Sequence, residues 1–165
     1  MNIKRLSIQI MALAVMAIAL ATTVSINAQT SASVEKTANE LVKKYEETAG
    51  VDCISVVKGG GLEMVKMMLK KEFGKDFMKG VTSITIIDYS DASEETCMAL
   101  RKDLDAFMSI LQEFDVSKEK QFADNDYIRC FASASESKVL SDFVIALENE
   151  ESKMLMYMAG TIKIE

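Results

Sequence analysis

The chain has no histidine, no tryptophan and no proline. The first absence weighs most. Without imidazole there is no Ser–His or Cys–His pair, no histidine general base and no histidine-based zinc site. Many hydrolase designs are excluded by that one missing residue type. Other patterns are missing too. No C-x-x-C unit supports thioredoxin-like redox chemistry, and no G-x-x-x-x-G-K-[ST] or G-x-G-x-x-G unit supports nucleotide phosphates. There is no internal repeat and no low-complexity linker.

What is present begins with an export signal. Lys4 and Arg5 precede an apolar stretch from Leu6 to Ala21, broken only by Ser7 and Gln9. Small and polar residues follow, ending in Ile26-Asn27-Ala28. An aliphatic residue at −3 and alanine at −1 fit signal peptidase, so cleavage is expected after Ala28. The stretch is short for a span, which needs about 20 apolar residues. The first cysteine is Cys53, far from the cleavage site, so a lipoprotein is not expected. Residues 1–28 are thus read as a cleavable secretory signal and 29–165 as a single domain, exported and periplasmic, with no later transmembrane segment.

Cleavage removes two of the 19 basic residues and none of the 25 acidic ones, so net charge moves from −6 to −8. An acidic domain of this kind repels nucleic acid and anionic membrane. Its 137 residues suffice to bury about 65–70% of the unfolded surface without a disulfide or metal.

Periodicity sets the expected elements. Val34, Ala38, Leu41, Val42 and Tyr45 recur at helical spacing up to Gly50. Residues 51–57 read as a strand, Gly59-Gly60-Gly61 as a break, and 62–73 as a helix. The run 81–89 is the strongest strand signal. Asp91 with Glu94 resembles a capping box opening a helix to about Phe114, with Leu100, Leu104, Phe107, Met108 and Leu111 on one face. Residues 116–122 and 127–134 read as strands joined by the turn Ala123-Asp124-Asn125-Asp126. Residues 137–147 read as a helix, through Leu140, Phe143, Val144 and Leu147. Residues 153–164 read as the last strand, with Gly160 at a bulge or kink. The expected class is α+β: an antiparallel or mixed sheet with helices mainly on one face, although the alternation of strands and helices also permits a three-layer α/β form. Its order is a ferredoxin-like β-α-β-β-α-β over 81–165, preceded by an α-β-α unit.

Several elements together resemble a known family. These are Leu41-Val42-Lys43-Lys44-Tyr45 running into Gly50-Val51, the Met-rich stretch Met64 to Leu69, and Leu100-Arg101-Lys102-Asp103-Leu104. Phe143-Val144 and Ala159-Gly160-Thr161 complete the set. The chain resembles the exported domain-of-unknown-function 4252 family of Bacteroides-type bacteria over essentially all of 29–165. Gly59-Gly60-Gly61 departs from that family's short connection. The resemblance implies no activity and no functional residues; it implies a link to envelope signalling.

Each candidate for chemistry stands beside a plainer reading. Gly59-Gly60-Gly61 sits where a phosphate loop would, but reads better as a turn. Met154, Met156 and Met158 alternate, so three thioethers share a side, which suits Cu(I); methionine also fills cores. Cys53, Cys97 and Cys130 are an odd set, so at least one is unpaired within the chain. Cys53 and Cys130 fall on strands that the reading allows to be neighbours. Cys97 lies in the first turns of a helix, where the dipole favours a thiolate. Buried, inert thiols are the plainer reading.

Ser135-Glu136-Ser137-Lys138 matches S-x-x-K without its companion motifs, and a helix N-cap at Ser135 or Ser137 explains the serines. Asp88, Asp91, Glu94 and Glu95 cluster at a strand-to-helix junction, which suits a hard cation such as calcium, but without EF-hand spacing; acids in a first helical turn are the plainer reading. Asp124-Asn125-Asp126 is turn chemistry. No catalytic, cofactor or metal residue is therefore assigned. The leading expectation is a non-enzymatic envelope protein-interaction module, docking through a sheet face left uncovered by helices. The alternative is a small-ligand or soft-metal carrier using methionine and cysteine sulfurs, which needs three sulfurs opening onto solvent. An enzyme with paired carboxylates is a third class, and no motif places two acids together.

Overall fold

The structure is a computed structural model, and it describes residues 31–57, 59–73, 78–114, 128–136 and 139–163. The signal, the expected strand 116–122 and the turn at Asp124-Asn125-Asp126 lie outside these residues. Three helices accompany a seven-stranded antiparallel sheet, giving the α+β class. The elements are α1 (Ser31–Tyr45), β1 (Asp52–Val57), α2 (Gly60–Phe73), β2 (Gly80–Asp88), α3 (Glu94–Met108), β3 (Gln112–Phe114), β4 (Ile128–Ala132), β5 (Ala134–Glu136), β6 (Val139–Glu148) and β7 (Lys153–Lys163). The sheet runs β1-β2-β7-β6-β4-β3, with β5 beside β6. No helix among the described residues is long and apolar enough to cross a membrane.

The core has two halves, one on each face of the sheet. Strand alternation sends Met154, Met156 and Met158 to one half, and Leu155, Tyr157 and Ala159 to the other. The first half collects Ile84 and Ile86 of β2, Phe143, Ile145 and Leu147 of β6, and Cys130 of β4. Leu62 and Val65 of α2 pack on it, with Ile54 and Val56 of β1. The second half lies under α1 and α3, through Val34, Ala38 and Leu41 and through Leu100, Leu104 and Phe107. Two of the three helices thus share a face, as the sequence predicts. Among the described residues both faces are nevertheless buried, so neither is the uncovered face expected as a docking surface.

α1 ends with Lys43 and Lys44 in its last turn, where the helix dipole favours cations. The chain then turns at Gly50, whose φ is +79° and where a Cβ would stand 2.3 Å from the Asp91 carbonyl oxygen. Only glycine meets both conditions.

Three expectations need correction. The helix predicted over 137–147 is β6. Its register against β7 shifts between Ser141 and Phe143, at Asp142, the one non-glycine at positive φ among the described residues (+50°). That shift lets Leu140 and Phe143, three apart, join the same core half. Val144 packs on the opposite face. A two-faced strand with one irregularity therefore imitates the i, i+3, i+4, i+7 spacing of a helix, and residues 139–148 do not supply the second helix of the β-α-β-β-α-β order.

The helix from the 91–94 region begins later and ends earlier than expected. Ser93 is its N-cap, accepting from the Thr96 amide at 3.2 Å, and Asp91 is not. It stops at Met108, and residues 112–114 form β3 against β4. Ser135 lies in β5 opposite Leu140, so it caps no helix. Gly160 does sit where predicted, at φ +96° between register shifts on both of its neighbours.

Candidate functional site: the open edge of the sheet

The sequence candidates disperse in the fold. Cys53 is on β1 and Cys130 on β4, with β2, β7 and β6 between them. At about 4.8 Å per strand they are about 19 Å apart, too far for a disulfide. All three cysteines are free thiols. Cys130 is fully buried, which pushes its thiol up to about 12. Cys97 is buried and directs its thiol at the Tyr89 and Ala92 carbonyl oxygens, 3.8 and 3.6 Å away, with Lys153 Nζ at 3.6 Å. Cys53 is half-buried, and burial, then Glu46 and Asp52, raise its pKa.

Met154, Met156 and Met158 are 2%, 4% and 4% exposed, so their sulfurs do not open onto solvent. Asp88 Oδ1 accepts from the Ser90 amide at 3.0 Å and hydroxyl at 2.7 Å, an ordinary turn closure. Among the described residues no three His, Cys, Asp or Glu side chains converge as metal ligands. Gly59 precedes α2 and its carbonyl accepts from the Glu63 amide at 3.2 Å, a turn-to-helix junction. Lys138 lies outside the described residues.

A charged cleft missed in the sequence lies between α3 and the strands, lined by Tyr89, Arg101, Leu104, Arg129 and Glu148. Arg101 is ion-paired with Glu148, which also accepts from the Tyr89 hydroxyl at 3.4 Å. Burial, then Glu148, raises the Tyr89 pKa. Arg129 forks onto Glu113 at 2.8 and 3.2 Å and reaches Asp105 at 3.5 Å. The cleft holds about 60 Å³, room for about two waters. Its charges neutralise one another, and it is too small to enclose an organic substrate.

The two ends of the sheet differ sharply. β3 is three residues long and carries Glu113, tied to Arg129 of β4; short length and charge are how edge strands are guarded. β1 is six residues, Asp52-Cys53-Ile54-Ser55-Val56-Val57, with its one charge at the first position. Among the described residues β1 pairs only with β2, so its other side presents unpaired backbone groups. Among the described residues four large apolar side chains are markedly exposed: Val57 (65%), Met64 (65%), Met67 (67%) and Met98 (60%). The first is on β1. The next two are on α2, which lies over β1, as the approach of Gly61 to Val56 attests. Val57 thus lies on the open edge strand, pointing to the face opposite the one where Ile54 and Val56 meet α2, while Met64 and Met67 are exposed on α2 itself. No family model, curated protein or solved structure matches the chain.

Proposed function

We propose that this chain is an exported, non-enzymatic interaction module of the cell envelope, periplasmic after loss of residues 1–28, which engages a protein partner through the β1 edge. One observation carries the reading: among the described residues β1 is a six-residue edge strand with a single charge, at its first position, and with Val57 65% exposed. Strand addition draws affinity from main-chain hydrogen bonds and specificity from alternate side chains, and needs no pocket. The packing of Met154, Met156 and Met158 in the core and the mutual neutralisation of the cleft charges support a binding role over a catalytic or metal-carrying one. The resemblance to the exported 4252 family supports the envelope setting and a connection to envelope signalling.

A photo-reactive side chain placed at Val57 tests the reading in living cells. A discrete crosslinked species is expected there, and none from the same group at Glu150, an exposed turn residue remote in sequence from the edge. Equal, diffuse labelling from both positions would contradict it.

A further inference from the structure

We infer that the β1 edge takes an extended segment of a partner protein that pairs antiparallel with β1, is apolar through most of its length and ends in a lysine or arginine opposite Asp52. The inference rests on the reading above that this edge is the interaction surface, and it names the chemistry of the segment that fits.

The charge requirement comes from one end of the strand. Asp52 stands directly opposite Asp88 in the β1–β2 ladder, so two carboxylates share one row on one face of the sheet. Like charges placed directly opposite oppose pairing. Asp88 turns to the Ser90 amide and hydroxyl, but Asp52 is exposed and has no ion pair among the described residues. Glu46 and Glu47, just ahead of β1, are exposed and also without an ion pair among the described residues. Their field reaches the strand itself: after burial, Glu46 and Asp52 raise the pKa of Cys53. A strand added beside β1 places a residue of its own in the Asp88–Asp52 row, and a cation there turns repulsion into attraction. The net charge of −6 for the whole chain draws such a segment in from a distance.

The direction and the other positions follow from the ladder. Every strand pair among the described residues is antiparallel, and antiparallel pairing is slightly the more stable per residue. The segment then runs against β1, with its N-terminal end at Val57 and its C-terminal end at Asp52. Residues directly opposite share a face. Those facing Val56 and Ile54 extend the half-buried apolar row beside α2, so they are apolar. The residue facing Val57, 65% exposed, is apolar too. Ser55 Oγ stands 3.4 Å from Thr85 Oγ1, so a serine or threonine facing Ser55 continues a row of hydroxyls. From its N-terminus the segment reads apolar, apolar, hydroxyl, apolar, any, basic.

The test uses the chain purified from the periplasm and labelled cyclic β-hairpin peptides, whose pre-formed strand lowers the ordering cost of binding. The free edge of the first presents Val-Ile-Thr-Val-Ser-Arg. Two others carry glutamate or threonine in place of the arginine, and a fourth presents the same residues in reverse order. Fluorescence anisotropy is expected to show the arginine peptide binding at least about tenfold more tightly than the glutamate peptide, by a margin that shrinks with added salt. The reversed peptide is expected to bind more weakly than the forward one. Asp52→Asn is expected to bring the arginine and glutamate peptides within about threefold of each other, with the affinity for the threonine peptide and the melting temperature unaltered.

Equal affinity for the arginine and glutamate peptides, a full preference that survives Asp52→Asn, tighter binding of the reversed peptide, or no binding by any of the four at millimolar concentration overturns the inference. If one of these results is found while the group at Val57 captures a discrete partner in cells, the segment's chemistry is wrong and the edge reading stands. If Val57 also captures nothing, both fail.

Discussion

Asp142 offers the sharpest internal test of the fold. Its side chain is fully buried, its backbone has φ +50°, and it marks the register shift that turns a helix-like pattern into a strand. Its carboxylate accepts from the Ser133 hydroxyl at 2.8 Å and from the Tyr157 hydroxyl at 3.0 Å. Asp142→Gly removes both bonds while relieving the backbone, at a cost of about 2–3 kcal/mol. Asp142→Ala removes both bonds and adds left-handed strain of about 1 kcal/mol, for a total of about 3–4 kcal/mol. Asp142→Asn keeps an acceptor and tolerates positive φ, so it costs about 1 kcal/mol.

Urea unfolding followed by far-UV circular dichroism measures the series, with tyrosine emission as a second probe because the chain has no tryptophan. At this size each kcal/mol moves the melting temperature by about 3 °C, so the alanine variant should melt about 10 °C below the parent. The expected order of stability is Asn, then Gly, then Ala. A glycine variant less stable than alanine would refute the role given to the backbone, and an alanine variant equal to asparagine would refute the role given to the hydrogen bonds.

Other predictions follow from separate regions. Asp103 accepts from Lys44 and from the Tyr45 hydroxyl, both at 2.5 Å, and these bonds hold its carboxyl below the usual range. A depressed folded pKa stabilises above the ordinary carboxylate value and is lost as pH falls through the folded one. Asp103→Asn should therefore cost about 1 kcal/mol at neutral pH, and urea midpoints of variant and parent should converge in strong acid. Native-state alkylation followed by mass spectrometry should modify Cys53 alone, while Cys97 and Cys130 react only after unfolding. Gly160→Ala should cost at least about 3 kcal/mol, because φ is +96° and the new Cβ would stand 2.2 Å from the Gly80 carbonyl oxygen. Gly60→Ala, with nothing within 4 Å, should be neutral or stabilising by the same thermal melts.

Much of the fold is legible where one face of an element is apolar or where a strand is uniformly β-branched. The positions Val34, Ala38, Leu41 and Tyr45 are buried at the spacing the sequence shows. β2 and β7 appear as strands because Ile84-Thr85-Ile86-Ile87 and the alternating methionines admit little else. β6 misleads because it is covered on both faces and because Asp142 shifts its alternation by one, so its buried residues fall at helical intervals. Ser109 and the turns after Met108 end α3 before Leu111, although Leu111 keeps the helical phase, because residues 112–114 instead pair with β4.

The candidate site is less legible for a physical reason. Whether a strand lies at an edge depends on strand order, a property of pairing between distant residues, and nothing local to Asp52–Val57 declares it. The exposure of Val57, Met64 and Met67 is equally invisible in a sequence where Met154, Met156 and Met158 are core. The charged cleft joins Arg101, Arg129 and Glu148 from three elements, and no spacing announces that meeting.

Binding through the β1 edge buries the outward amides of that strand. Amide hydrogen exchange over residues 52–57, compared between a dilute purified sample and the protein in a concentrated periplasmic extract, tests it most directly. Slower exchange of this strand in the extract, with α3 and β6 unchanged, is the result predicted. Exchange over 52–57 that is the same in both would contradict it.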